Sequence, residues 1–128
     1  MTMPDFPLGA ALALAIAAFS FPAEAAEDPA RGKTVFAVCV ACHSLAPGVH
    51  GVGPSLHGLF GRASASAENY IYSPAMRRAK LTWTPELLDR YLTEPQAGVF
   101  RGNKMPFAGM PNAQDRADLI AYLKEASK

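Results

Sequence analysis

The only two cysteines of the chain lie in one pentapeptide, CVACH, which runs from Cys39 to His43. Its two thiols are three residues apart, and an imidazole follows the second thiol directly. If this segment is helical, residues at i, i+3 and i+4 share one face, so Cys39, Cys42 and His43 point the same way. Three reactive groups on one face predict a shared chemical role, either as ligands or as attachment points.

The N-terminal 25 residues have the pattern of a secretory signal. Residues 8–21 are apolar and uncharged, and this run is too short to cross a bilayer, which needs roughly 20 residues. Ala23-Glu24-Ala25 supplies a small-x-small cleavage pattern. The segment before the apolar run is atypical because it contains Asp5 and no Lys or Arg, and an uncleaved membrane anchor or a buried helix is the alternative. We predict a cleaved signal peptide at 1–25 and an exported, periplasmic protein.

The remaining domain, residues 26–128, is only mildly basic. Loss of Asp5 and Glu24 would leave twelve Lys and Arg against nine Asp and Glu. These basic residues are dispersed and form no stripe, so the sequence does not indicate nucleic-acid binding. The length predicts a single domain. In an oxidising compartment two cysteines normally form a disulfide, so the histidine beside them calls for an explanation.

Apolar periodicity, prolines and capping residues predict an all-α domain with no strands. The first helix begins at Asp28-Pro29 and is expected to run to about Cys42, with Gly32 and Phe36 on its apolar face. Three further helices are predicted, a short one over 74–80 and longer ones over 85–94 and 113–126.

Between the first two predicted helices the periodic pattern stops. Residues 44–62 contain five glycines and two prolines, which is typical of loops and turns. Loops this long are uncommon in compact domains, and a few short helices rarely bury enough apolar area to stabilise so small a chain. We therefore expect the chain to surround a large buried cofactor that completes its core.

The C-x-x-C-H pattern is the attachment signal of a c-type haem. Both thiols can add to the haem vinyl groups as thioethers, and His43 can reach the iron as proximal ligand. Three alternatives remain. A thioredoxin-like dithiol accompanies a βαβ pattern that is not visible here, a structural zinc site needs a fourth ligand such as His50 or His57, and a disulfide between Cys39 and Cys42 leaves His43 unexplained.

An iron that carries electrons without binding small molecules needs a second axial ligand. Met76, Met105 and Met110 are the candidates in the domain. Met76 lies in a short amphipathic stretch and is expected to fill the core. Pro106 biases Met105 towards extended backbone, from which a long side chain can point inward. The pattern therefore favours Met105 modestly over Met110.

Four further stretches carry a resemblance to a known family. Together with CVACH they are GPSLHGLFGR (53–62), LTWTPELLDRYLTEP (81–95), GNKMPFAG (102–109) and DRADLIAYLKEA (115–126). In order and spacing they resemble mitochondrial and bacterial class I cytochrome c over essentially the whole domain. The resemblance implies a small all-α cytochrome c fold, in which three main helices, a short one and long loops surround one haem c.

The resemblance also implies roles for individual residues. Covalent attachment falls to Cys39 and Cys42, and the axial ligands of the iron are His43 and Met105. The surrounding contacts are implied to be the Pro54 carbonyl on the proximal imidazole, Arg62, Tyr72 and Trp83 on the haem propionates, Tyr91 on the methionine sulfur, and Asn103 in place of the family's usual threonine. Gly32 and Phe36 match the contact of the first helix with Leu119 and Tyr122 of the last.

The implied function is that of a soluble, exported, monomeric one-electron carrier without catalytic residues, which transfers electrons through an exposed haem edge. The implied partners are larger redox complexes: a bc-type complex, a terminal oxidase, a photosynthetic reaction centre or a dehydrogenase. The alternatives are a haem subunit held in a dehydrogenase or oxidase, and a haem peroxidase, for which no distal histidine is visible near Met105.

The family's ring of lysines around the haem edge is largely missing from this sequence. Lys104 remains, and Lys33 and Arg101 are candidates for nearby positions, but most corresponding positions are neutral: Thr34, Val38, Gln96, Pro111 and Asn112. We therefore expect weak electrostatic steering towards partners.

Overall fold

The computed structural model of the protein describes residues 1–2, 17–20 and 25–128. Most of the predicted signal peptide, including the greater part of its apolar run and Ala23-Glu24 of the cleavage pattern, lies outside the described residues. Within them, no helix combines the length and apolarity that a membrane span requires.

The described chain is all-α, as the sequence predicts. Its helices are α1 (Pro29–Val35), α2 (Pro74–Ala79), α3 (Pro85–Thr93) and α4 (Ala113–Ala126), with single 3-10 turns at Phe36–Val38 and Gly98–Phe100. Among the described residues β-structure is limited to two isolated bridges, His43–His50 and Ala63–Thr82. The connections between the helices are long loops.

Each helix begins at a side chain that accepts hydrogen bonds from the first-turn amides. The capping residues and their donors are Asp28 with Ala30 and Arg31, Ser73 with Met76, Thr84 with Leu87, and Asn112 with Asp115. Proline occupies the first helical position in α1, α2 and α3, where its missing amide hydrogen costs nothing. Because each helix start depends on a capping residue and the residues next to it, the sequence predicts accurately where the helices begin.

The predicted length of the first helix is wrong, because regular α-helix ends at Val35 rather than near Cys42. The amide of Cys39 donates to the Phe36 carbonyl at 2.8 Å, an i to i+3 bond that tightens the chain into a 3-10 turn. The Cys39 carbonyl then accepts from the amides of Cys42 at 3.1 Å and His43 at 2.9 Å. The pentapeptide therefore still forms one hydrogen-bonded turn, outside the helix proper.

Helices α1 and α4 cross at very short range, and a glycine makes the crossing possible. A Cβ atom on Gly32 would lie 1.9 Å from the carbonyl oxygen of Asp118 and 2.9 Å from the Cβ of Tyr122. One turn further along, the rings of Phe36 and Tyr122 pack with their centroids 5.5 Å apart. Leu119, the residue after Asp118 on α4, is only 1 % exposed.

A buried carboxylate fixes the start of α1 on α4. Asp118 accepts hydrogen bonds from the Asp28 amide at 2.8 Å, from Arg31 Nη1 at 2.5 Å and from Gln114 Nε2 at 2.8 Å. The bond from the Asp28 amide, followed by that from Arg31, lowers the pKa of Asp118, so the carboxylate stays ionised at neutral pH. With this end of α1 held, the cysteine turn that follows α1 has a defined position.

We predict that Gly32→Ala destabilises the haem-loaded protein by about 1–3 kcal/mol or more, because the added methyl group must push two helix backbones apart. Urea unfolding followed by circular dichroism measures the change. Thr34→Ala, at an exposed position of the same helix, is the control for altered helix propensity. Equal midpoints for the two variants would contradict the close crossing.

Candidate cofactor site

A cleft opens between the loops on either side of α3 and the turn that follows α1. Aliphatic and aromatic side chains form most of its walls, and those that are buried are Phe36, Leu59, Met76, Trp83, Leu88, Tyr91, Leu92, Leu119 and Leu123. Cys39, Cys42 and His43 line the cleft together with Met105. An apolar cleft with these groups suits a large, mainly hydrophobic prosthetic group.

The imidazole of His43 is held in one tautomer. Its Nδ1 lies 2.7 Å from the Pro54 carbonyl oxygen, and because a carbonyl can only accept, Nδ1 carries the hydrogen and Nε2 keeps a free lone pair. Burial lowers the pKa of His43, against the opposing effect of the Pro54 bond. The ring is therefore neutral at physiological pH and can act as a metal ligand through Nε2.

Sequence reasoning missed a second constraint on this ring, which comes from Gly53. A Cβ atom at position 53 would lie 2.3 Å from His43 Cε1 and 2.7 Å from both ring nitrogens. The backbone therefore passes directly against the imidazole face. The only available signal was the glycine before Pro54, which in a sequence is typical of any turn.

The cysteine and histidine environments do not suit the zinc or dithiol alternatives. Burial, and then the neighbouring Cys42, raises the pKa of Cys39, which favours the neutral thiol over the thiolate that binds metals or exchanges disulfides. Both ring nitrogens of His50 already bond within the loops, to the Ser55 amide at 2.9 Å and the Glu68 carbonyl at 2.8 Å. Across the described residues, no group of three or more His, Cys, Asp and Glu could hold a metal ion.

Met105 also lines the cleft, and its sulfur is 3.2 Å from the Tyr91 hydroxyl. Burial raises the pKa of Tyr91 to about 12, so this hydroxyl keeps its proton. Asn103 lies beside both, and its Oδ1 accepts from the Met105 amide at 2.8 Å. Met110, the other candidate, is buried in the core away from the cleft lining, and Met76 contributes to the apolar wall.

Arg62 provides a charged group inside the otherwise apolar cleft. Its two terminal nitrogens donate to the carbonyls of His57 and Ser55, each at 2.8 Å, but its Nε is buried without a hydrogen-bond partner. Tyr72 and Trp83 line the same cleft. A buried donor of this kind fits a prosthetic group that carries carboxylates, which would complete the bonding of the guanidinium.

These features agree with the chemistry of a haem. The cleft offers apolar walls for a flat macrocycle, an unpaired guanidinium nitrogen for a carboxylate, two thiols on one turn, and soft or nitrogen donors suited to iron. Fold and cleft together define a small all-α protein of the kind that binds haem through C-x-x-C-H.

Comparisons with known proteins agree with this class. The family model for cytochrome c matches residues 29–127. Cytochrome c2 of Blastochloris viridis is 44 % identical over 113 residues, covering 88 % of this chain and 88 % of its own. Cytochrome c2 of Rhodoblastus acidophilus is 45 % identical over 101 residues, covering 78 % and 94 %. The c-type cytochrome cy of Rhodobacter capsulatus is 48 % identical over 103 residues, covering 80 % of this chain and 51 % of that protein.

The chain belongs to the cytochrome c family. It is a monohaem c-type electron carrier, and its cofactor is one covalently attached haem c.

We predict that Gly53→Ala displaces the His43 ring, because the new methyl carbon would lie only 2.3 Å from Cε1. The expected result is a loss of about 1–3 kcal/mol in the unfolding free energy of the haem-loaded protein, the usual cost of overpacking, with an altered visible spectrum. Val52→Ala, at an exposed neighbouring position, is the matched control. Unchanged spectrum and stability in Gly53→Ala would mean that the ring is not held where the structure has it.

Proposed function

We propose that the protein is an exported carrier that moves single electrons between larger redox complexes, with its haem attached through Cys39 and Cys42 and its iron ligated by His43 and Met105. The observation that carries this proposal is that the two donor atoms line one apolar cleft and that each is independently oriented. Pro54 holds the imidazole at 2.7 Å, and the Tyr91 hydroxyl lies 3.2 Å from the thioether.

The remaining site residues divide into two groups by the part of the haem they would serve. Arg62, Tyr72 and Trp83 would bind the propionates, and the unpartnered Nε of Arg62 supports this assignment. Pro54 orients His43, while Tyr91 and Asn103 orient Met105. Bonds of this kind around a metal site fix the orientation and the donor strength of its ligands.

Fixed neutral ligands suit electron transfer better than catalysis. The bound haem supplies a metal that alternates between two oxidation states. The residues that would hold it supply an uncharged imidazole and an uncharged thioether in a cleft with apolar walls, which would favour the less charged state and raise the potential. Because the same side chains hold both ligands throughout, little has to rearrange when an electron arrives or leaves.

The same geometry is the reason to propose a carrier rather than an enzyme. A haem peroxidase needs an open coordination position and a polar group to act on the bound substrate. Among the described residues that line the cleft, His43 is the sole histidine and no acidic residue is present. Met105 would fill the position that a peroxide needs.

Export is proposed from the N-terminal pattern. A c-type haem attached through both thiols leaves no free cysteine to be oxidised outside the cytoplasm. We propose that residues 1–25 direct export to the periplasm and are then removed, so that the mature protein is a freely diffusing monomer.

The mouth of the cleft indicates how partners dock. Val38 and Val52 line it and are each 66 % exposed, beside Pro106 and Phe107. Lys104 is the exposed cation of this lining, and its ammonium donates to the Ile71 carbonyl and lies 4.5 Å from the centre of the Tyr70 ring. We propose a transient docking surface that is mainly apolar, with little long-range steering.

Met105→Ala tests the ligand assignment. We expect loss of the methionine-to-iron charge-transfer band and a lower reduction potential. We also expect the ferric protein to bind azide more tightly by more than about tenfold, which corresponds to about 1.4 kcal/mol of binding free energy. Met110→Ala is the matched control and should keep the band while losing stability, since Met110 is in the core. Retention of the band in Met105→Ala, with its loss in Met110→Ala, would overturn the assignment.

The docking proposal is tested by stopped-flow oxidation of the reduced protein by detergent-solubilised membranes of its own host. Raising the ionic strength from about 0.01 to 1 M shortens the Debye length from about 30 to 3 Å. Over this range we expect the rate to change by less than about tenfold, because about tenfold is the smallest rate increase typical of electrostatic steering. Val38→Ser should slow the reaction, whereas Val99→Ser, also an exposed valine but outside the cleft lining, should not. A steeper fall with salt would contradict an apolar surface, and no oxidation at all would contradict the carrier function.

A further inference from the structure

The residues directly after the proposed signal peptide are bound to α4. The carbonyl oxygen of Ala26 accepts a hydrogen bond from Gln114 Nε2 at 3.3 Å, and the Asp28 amide donates to Asp118 Oδ1 at 2.8 Å. Gln114 and Asp118 are four residues apart on α4 and therefore share one of its faces. The first residues of the mature domain thus belong to the folded structure and are not a free tail.

These bonds use backbone groups that a peptidase needs in order to bind the same segment. In extended chain, the carbonyl of one residue and the amide two residues later point to the same edge. Asp28 has extended backbone, and its amide and the Ala26 carbonyl are both directed at α4. Partners that recognise an extended segment bind it through these edge groups. Residues 25–28 are exposed, yet one edge of the segment is already occupied.

Helix α1 restrains the segment from its other end. The helix begins at Pro29, three residues after Ala26, and Asp28 is its capping residue. Because the Gly32 crossing fixes α1 on α4, little slack separates the segment from the packed core. Detaching it would take the Asp28 amide away from the Asp118 carboxylate, whose side chain is 1 % exposed. A buried carboxylate that loses a hydrogen-bond donor is costly, so the detached state is sparsely populated.

We propose that removal of residues 1–25 has to precede folding, because the folded domain withholds the Ala25–Ala26 bond from the peptidase. The inference rests on the proposed signal peptide and adds the order in which it is removed. The reaction is hydrolysis of one peptide bond, in which water gives Ala25 a carboxylate and leaves Ala26 with a free amine. Since the haem completes the core, hydrolysis competes with the folding that haem attachment allows. Once folded, a precursor is cut only from the fraction of molecules in which residues 26–28 are detached.

The test compares two forms of the full-length precursor in detergent with purified bacterial signal peptidase. One form has haem attached in vitro through Cys39 and Cys42. The other is the haem-free double variant Cys39→Ala/Cys42→Ala, which near-UV circular dichroism should show to lack fixed packing. We expect the haem-loaded form to be cut at least about tenfold more slowly, as when one hydrogen bond to a charged group has to open first.

Matched variants of the haem-loaded precursor locate the cause of the protection. Gln114→Leu removes the donor to Ala26 and should speed cleavage about two- to tenfold, the effect of one hydrogen bond. Gln96→Leu, at the only other glutamine of the chain, bonds within a loop away from α4 and should not. A short Gly-Ser insertion after Ala26 moves the cleavage point off α4 and should raise the rate to that of the haem-free form. If cleavage stays slow after the insertion, docking on α4 is not the cause and the proposal is wrong.

The two proposals fail in distinguishable ways. If mass spectrometry finds no cleavage between Ala25 and Ala26 in the haem-free precursor, the proposed signal peptide is wrong. If that precursor is cut there and the haem-loaded form is cut equally fast, the signal peptide stands and the order proposed here is overturned.

Discussion

The crossing of α1 and α4 at Gly32 is the contact on which the rest of the molecule depends. It joins the two ends of the domain. The Asp118 carboxylate stabilises it by accepting hydrogen bonds from the Asp28 amide and from Arg31. Because α1 is short and leads directly into the cysteine turn, fixing its axis fixes where Cys39 and His43 face. The same helix α4 supplies Leu119 and Leu123 to the wall of the cleft, so one interface positions both the attachment turn and part of the surface around it.

Within this frame, the two proposed iron ligands are held by different kinds of structure. The Pro54 carbonyl fixes the tautomer of the His43 ring, and the backbone at Gly53 limits how far the ring can tilt. Met105 lies in a loop whose shape depends on the buried amide of Asn103 and on the Tyr91 hydroxyl. The His43 side is thus rigid through steric contact, whereas the Met105 side is maintained by hydrogen bonds.

Sequence reasoning predicts the parts of this structure that depend on local chemistry or on family motifs. The helix starts at Asp28, Thr84 and Asn112 can be predicted because each depends on a capping residue or a proline within four residues of the start. The sequence predicts an end of α1 that is too late in the chain, because the change from α-helical to 3-10 hydrogen bonds at Phe36 does not alter the apolar periodicity. Backbone contacts that no family motif implies, such as Gly53 against His43 or Arg62 on the Ser55 carbonyl, also escape prediction, since backbone atoms have the same chemistry whatever residue bears them.

The central claim is that one haem, bound through both cysteines, completes the core of a chain that cannot fill its own cleft. Trypsin cleavage after Lys33 and Arg62 releases a peptide, residues 34–62, that contains the whole attachment turn. Mass spectrometry of this peptide from natively produced protein should give the peptide mass plus one haem, with no thiol open to alkylation. A peptide at its unmodified mass, with both thiols alkylated or joined to each other, would contradict the account.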